Sequence, residues 1–425
     1  MYRDVNPRRA GVLETVPVMA RIESLGMSRR SVLTRILASG AGLVAGRHAL
    51  AKNASKPVRA WNFGAAHLEW EPLEVGAGDT LLVSAQVGGL PVRAVLDSGS
   101  GASIMSTALA AKLGLSGERR MISGLSAKAP VQLVRGVDVL LARETRRLPF
   151  AIIGDLSAVS AAFGRPIDIL LGTDMFTGSC IALDFAKRRL AVTQSGTFLA
   201  GAGWQSVPLG RGAKLELFVR ASVAGLTPVP LMLDLGSSAA LMLSSSYARE
   251  QGLLEGKRVS TAAIGGVDGI KINDVFTIPN VDIEGLSVAN IPALGMRAWL
   301  STSTVGNIGL PLIAQFDVVF DVTAGVVWFR PLDPRHRLPM LRDRSGLGSA
   351  PSPTGLTVVH VAANSPAEKG GWAAGDRIVA INGHPVDADY THGELWRWRY
   401  GPAGTLVKLK MAGGDMRELR LADYY

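Results

Sequence analysis

VRAVLDSGS, residues 92 to 100, carries an apolar run to a single acid, Asp97, and then into a turn of small residues. A solvated turn is the ordinary reading of such a stretch, because an isolated carboxylate is costly to bury. A second copy argues against it. PLMLDLGS, residues 230 to 237, repeats the arrangement around Asp234, 137 residues downstream (234 − 97). The same offset links Gly172 of ILLG to Gly309 of NIG, and Asp184 of IALDF to Asp321 of VVFDV (309 − 172 = 321 − 184 = 137). Three landmarks recurring in the same order mark an internal duplication.

The surrounding pattern is that of an all-β chain. From Asp79 onward the apolar runs are short and separated by turns; Leu81 to Val87 and Val92 to Leu96 flank Gly88-Gly89, a hairpin signal. Short helices are expected after each acid turn, at Ser106 to Leu113 and Ser246 to Gln251, each stopped by a glycine, Gly114 and Gly252. The duplication therefore divides this region into a first lobe at 79–200 and a second at 201–332. A third unit, 333–425, begins with a basic, proline-containing linker and repeats neither lobe. In it, Gly355 to Val361 reads as a strand and Ser365-Pro366-Ala367-Glu368 as a capping box with proline at the first helical position. Gly375-Asp376 turns into the strand Arg377 to Ile381, and Asn382-Gly383 closes a hairpin.

Composition narrows the function. With 425 residues and 48% hydrophobic content, the chain has material for two or three packed cores. The net charge of +10 looks like a signal for nucleic acid until it is divided along the chain. Residues 1–51 hold eight arginines against Asp4, Glu14 and Glu23, a net +5, so half the excess lies in this short segment and nucleic-acid binding is not expected. That segment contains Ser28-Arg29-Arg30-Ser31-Val32-Leu33, a weakly apolar run from Ile36 to Gly46, and Ala49-Leu50-Ala51. It resembles a twin-arginine export signal, with Met27 as the expected start, and implies a periplasmic or secreted protein. Residues 52–78 then form a linker or a propeptide. No run of eighteen apolar residues occurs, so no membrane span is expected after signal cleavage. The lone Cys180 lies in an apolar run and is expected in the core, with no intrachain disulfide.

Two buried acid turns make chemical sense if the lobes meet about a pseudo-twofold axis and set their carboxylates side by side. Like charges at that range do not both ionise easily, so the pair shares a proton. One carboxylate then serves as base toward a water while the other, protonated, polarises a carbonyl. Such a pair needs neither metal nor cofactor. No histidine lies between Asp79 and Arg335, which excludes Ser-His-Asp and Cys-His catalysis and histidine-ligated zinc within the lobes. Asp184 and Asp321 each precede a strand turn and are expected to be structural.

Asp97-Ser98-Gly99-Ser100 and Asp234-Leu235-Gly236-Ser237, each 75 residues ahead of an apolar-glycine element (172 − 97 = 309 − 234), resemble the active-site turns of the aspartic peptidases. The similarity is to retropepsin-like lobes fused in one chain as a pepsin-like pseudo-dimer, over 79–332. It implies a monomer that hydrolyses peptide bonds with Asp97 and Asp234 as the catalytic dyad. It also implies that Ser98 is a hydroxyl bracing the turns across the interface, that Gly99 and Gly236 permit the tight turns, and that Ser100 and Ser237 hydrogen-bond the carboxylates. A flap hairpin is implied at Gly124 or at Gly265-Gly266. Leu235 departs from the pattern, since it stands where the second bracing hydroxyl belongs; Asn307 is a smaller departure, opposite Leu170 of the first lobe. These leave open a degenerate lobe two in a peptide-binding or regulatory protein, and a lobe pair that works only after dimerisation.

GLTVVHVAANSPAEKGGWAAGDRIVAINGHPV, from Gly355, resembles a bacterial PDZ domain, an α+β unit. The resemblance implies a carboxylate-binding loop at Gly346-Leu347-Gly348-Ser349. There, protein or peptide substrates would be held by their C-termini while adding as a strand. The aromatic-basic run Trp396-Arg397-Trp398-Arg399-Tyr400 then falls in the helix at the groove edge and is expected to pack there.

Overall fold

The computed structural model describes residues 59–76, 80–123, 128–162, 165–266, 269–391 and 393–425. The export-like motif and Gly124 lie outside these residues. All described residues belong to one compact unit. Among them the strands form sheets of 13, 8 and 6 strands, and no helix is long and apolar enough to cross a membrane. The fold is all-β with an α+β unit at its C-terminal end.

Thr80–Val87 and Leu90–Leu96 pair as the expected hairpin, with Gly88 and Gly89 at φ +56° and +82°, where a side chain would be strained. Leu90–Leu96 starts exposed and ends buried at Val95 and Leu96, which carries the next residue, Asp97, inward. It lies parallel to Ile169–Leu171. The second half repeats this: Val229–Asp234 lies parallel to Gly306–Gly309, with Asp234 opposite Gly309. The helices Thr107–Lys112 and Ser245–Glu250 follow the two turns. They are capped by the hydroxyls of Ser106 and Ser244, which accept from the N–H groups of Leu109 and Tyr247.

Where the halves meet, Ser179–Asp184 runs antiparallel to Phe316–Asp321, every residue of both strands buried. Ala182 faces Val319, its own repeat mate (319 − 182 = 137), while Ile181 faces Phe320 and Leu183 faces Val318. The pseudo-twofold axis therefore passes through the Ala182–Val319 pair. One apolar core runs through both halves and contains Leu96, Phe176, Leu233, Leu235 and Phe320.

Asp184 and Asp321 brace this sheet. Asp184 accepts from Lys187 N–H and Arg189 Nε, and Asp321 from Gly196 and Ala324 N–H. Cys180 is wholly buried, and burial pushes its thiol up to about 12. Of residues 52–78, read from sequence as a linker or propeptide, the described residues 59–76 are built into the fold. Glu71–Gly76 pairs with Thr80–Val87 and with Arg189–Gln194, and Trp61 is buried against Phe198.

The C-terminal unit has its own core around Leu356, Val358, Ile378 and Leu409. Its helix Pro366–Lys369 carries the capping box: Ser365 Oγ accepts from Glu368 N–H, and Glu368 reaches back to Asn364 N–H. Leu395–Tyr400 forms a 3₁₀ helix packed through Trp396 and Trp398. The unit is pinned to the second half, where Thr261 Oγ1 and His360 Nε2 lie 2.9 Å apart and Ser260 Oγ donates to the Ala363 carbonyl.

Candidate active site

The buried parallel strand pairs bring both acid turns to the axis. Asp97 Oδ1 accepts from the N–H groups of Gly99 (3.0 Å) and Ser100 (3.1 Å), and Asp234 Oδ1 from that of Gly236 (3.0 Å). The two carboxyl groups are close enough for the Asp97 charge to act on Asp234. Each turn's glycine covers the opposite acid: a Cβ on Gly99 would lie 2.6 Å from Asp234 Cγ, and one on Gly236 would lie 2.7 Å from Asp97 Cγ. No side chain fits at either position, so this close approach accounts for both glycines.

Ser98 is wholly buried. Its Oγ donates to the Leu233 carbonyl (2.8 Å) and accepts from the Leu235 N–H (3.0 Å), so one hydroxyl spans the lobe interface. The Leu235 side chain lies in the shared core and makes no such bridge in return. Ser100 reaches Asp97 through its backbone, while its hydroxyl donates to Ala102 O (2.7 Å); Ser237 Oγ likewise donates to Ala239 O (3.4 Å). Both hydroxyls therefore shape the turns, each donating to a carbonyl two residues on along its own chain.

Asn307 supplies a contact that sequence reasoning passed over. Wholly buried, its Nδ2 donates to Asp234 Oδ2 at 2.6 Å, and its Oδ1 has no partner among the described residues. The signal in the sequence was a polar residue where the first lobe has Leu170. In the first lobe, Ser103 and Asp174 do comparable bracing. Ser103 donates to Asp174 from its N–H (2.8 Å) and Oγ (2.7 Å), and its Oγ accepts from Gly172 N–H.

Burial raises the Asp97 carboxyl above the ordinary carboxylate range, against the pull of the Gly99 and Ser100 N–H groups. Burial, followed by the Asp97 charge, pushes Asp234 up to about 7, opposed by the Asn307 and Gly236 donors. The two titrate as a pair, which can hold one proton at near-neutral pH.

Gly265 and Gly266 sit at the connected end of the hairpin formed by Ser260–Gly266 and Gly269–Ile283, with Gly266 opposite Gly269. Its counterpart in the first half is the hairpin of Glu118–Ser123 and Lys128–Leu141. In the C-terminal unit, Gly346 adopts φ +76°, and the expected carboxylate loop is filled from within. The Ser345 and Gly346 N–H groups donate to Asp343 (3.1 Å each), Leu347 N–H donates to Ser345 Oγ, and Arg399 reaches across to Leu347 O. Leu347, Gly348 and Ser349 lie in the edge strand Leu347–Ser352. A Cβ on Gly348 would come within 3.0 Å of Ala263 Cβ on the strand Ser260–Gly266.

Compared with models of known families, residues 83–175 match an aspartyl protease and residues 357–411 a PDZ domain. The first match includes the Asp97 turn and ends before the Asp234 turn. No curated protein matches the chain at a significant level. The chain thus carries an aspartyl-protease-like domain and a PDZ domain.

Proposed function

We propose that the protein is an aspartic endopeptidase in which Asp97 and Asp234 share a proton and activate a water against a peptide carbonyl. The reading rests on the reciprocal packing of Gly99 on Asp234 and Gly236 on Asp97, which sets the half-buried Asp97 and the buried Asp234 together on the axis. The ionised carboxylate takes a proton from the water as it attacks. The protonated carboxyl donates to the carbonyl oxygen, and proton return to the nitrogen releases the amine product. Asn307 favours negative charge on the Asp234 side, and the hairpin ending at Gly265-Gly266 closes over an extended substrate and excludes water. The PDZ domain positions protein substrates. The twin-arginine-like motif assigns the work to the periplasm or beyond, and N-terminal sequencing of the exported protein checks that assignment.

The decisive measurement is cleavage of a peptide library by the protein from Lys52 onward. Asp97→Asn and Asp234→Asn should each abolish it, and activity surviving Asp234→Asn would sink the intramolecular dyad. Leu235, absorbed into the core, favours one second reading, a peptide-binding protein without activity. That reading predicts binding of C-terminal peptides and no cleavage by either the wild type or Leu235→Thr.

A further inference from the structure

Tyr424 and Tyr425 are 5% and 7% exposed, their rings edge to face at 4.9 Å. They pack with Ala239, Met242, Ala262, Ile264, Val275 and Leu294 of the second half. These residues place the pair. Ala239 belongs to the acid turn, where its carbonyl accepts from Ser237 Oγ. Met242 lies opposite Asn307 in the sheet, and Asn307 holds Asp234. Ala262 and Ile264, two apart, share one face of the flap strand Ser260–Gly266. The two tyrosines therefore lie between the acid turn and the flap strand, the space an extended peptide crosses on the second lobe's side.

The segment is held by polar contacts at several points. Tyr424 Oη donates to Asp343 Oδ2 (2.9 Å), and Arg342 donates to Tyr425 O (2.8 Å) with its guanidinium 5.0 Å from the ring centre. Arg344 Nε donates to Asp423 Oδ1 (2.6 Å) and Arg258 to Asp423 O (3.0 Å). Beside the rings, a cavity of about 200 Å³ remains between the second half and the PDZ domain.

We propose that this pocket is the second lobe's subsite for aromatic side chains of a peptide, and that Asp423-Tyr424-Tyr425 is its resident ligand, displaced when a substrate binds. The assignment rests on the peptidase reading of the neighbouring acid turn. Each tyrosine buries a large amphipathic ring at low entropic cost, and its covalent attachment gives it a high effective concentration that a free peptide must overcome.

The test is fluorescence anisotropy with a labelled Asp-Tyr-Tyr peptide on the Asp97→Asn background, which removes turnover and keeps the pocket. Deleting Tyr424 and Tyr425 should tighten binding on the order of tenfold or more relative to the parent. Arg342→Gln, which loosens the segment without removing it, should move affinity the same way, and it serves if the deletion fails to fold. Met242→Arg in the deleted chain should abolish binding, with folding checked by circular dichroism. Equal binding with and without the tyrosines, or no binding to any folded variant, overturns the proposal. If the library is not cleaved by the wild type while the deletion binds the peptide, the peptidase reading fails and the pocket stands.

Discussion

Replacing Ser98 by alanine removes the hydroxyl that bridges the two acid turns. Its Oγ satisfies two backbone groups of the opposite lobe, the Leu233 carbonyl and the Leu235 N–H, in a stretch where Leu233, Asp234 and Leu235 are all buried. A buried donor or acceptor left without its partner costs about 1–3 kcal/mol, so the two together cost about 2–6 kcal/mol. Alanine keeps the β-carbon, which leaves little cavity to add to this. Against the roughly 5–15 kcal/mol that holds a typical domain, such a loss is large. Urea denaturation followed by tryptophan fluorescence should show a clear fall in midpoint, since Trp61 and Trp328 pack against the interlobe sheet. Peptide turnover should fall with it as the turns loosen. The double variant Ser98→Ala/Leu235→Thr sharpens the test, because the pseudo-twofold axis puts a hydroxyl at 235 against Leu96 O and the residue 98 N–H (233 − 137 and 235 − 137). It should recover part of the loss. A Ser98→Ala midpoint within about 0.5 kcal/mol of the parent, with turnover intact, would refute the bridge as a stabilising element.

Asp234, raised from 3.8 to about 7, binds a proton in the folded state that the unfolded chain releases. Its contribution to stability is therefore complete below pH 3.8 and lost as pH rises through about 7, and Asp234→Asn should flatten the urea-midpoint profile across that window. Turnover should decline as pH rises through the same upper pKa; a rate constant from pH 5 to 9 would contradict the shared proton. Asn307→Leu, which copies the first lobe, removes a donor that holds the pair's pKa down, so the alkaline limb of the pH–rate profile should move upward while kcat falls. An unmoved limb would show that the amide only fills space. Gly99→Ala forces a Cβ to 2.6 Å from the Asp234 carboxyl and Gly236→Ala does the same to Asp97 at 2.7 Å; both should abolish turnover in protein that still folds by circular dichroism.

Local patterns carried most of what the sequence revealed. The acid turns, the Gly88-Gly89 hairpin, both serine-capped helices and the capping box at Ser365 are each written within a few neighbouring residues. The repeat offset of 137 then anticipated the axis, because a duplicated half brings its own complementary partner. What escaped notice depends on partners far along the chain. Asn307 touches Asp234 only because their strands run side by side in parallel, and residues 71–76 become a strand only by finding Thr80–Val87 and Arg189–Gln194. Strand pairing of this kind is decided by packing and register, not by the segment's own composition. Asp343 in the carboxylate loop and the tyrosines against Met242 belong to the same class: each joins segments that only the folded arrangement brings together.

The interlobe sheet makes each half of the molecule a template for the other. Because Ala182 meets the residue that repeats it, the strand Ser179–Asp184 accepts any strand of its own kind on that side, including Phe316–Asp321 from a different molecule. Refolding at high concentration should then exchange halves between chains and give dimers, each with two complete acid pairs assembled from separate polypeptides. Size-exclusion chromatography would separate them from the monomer, and dilution before refolding should suppress them.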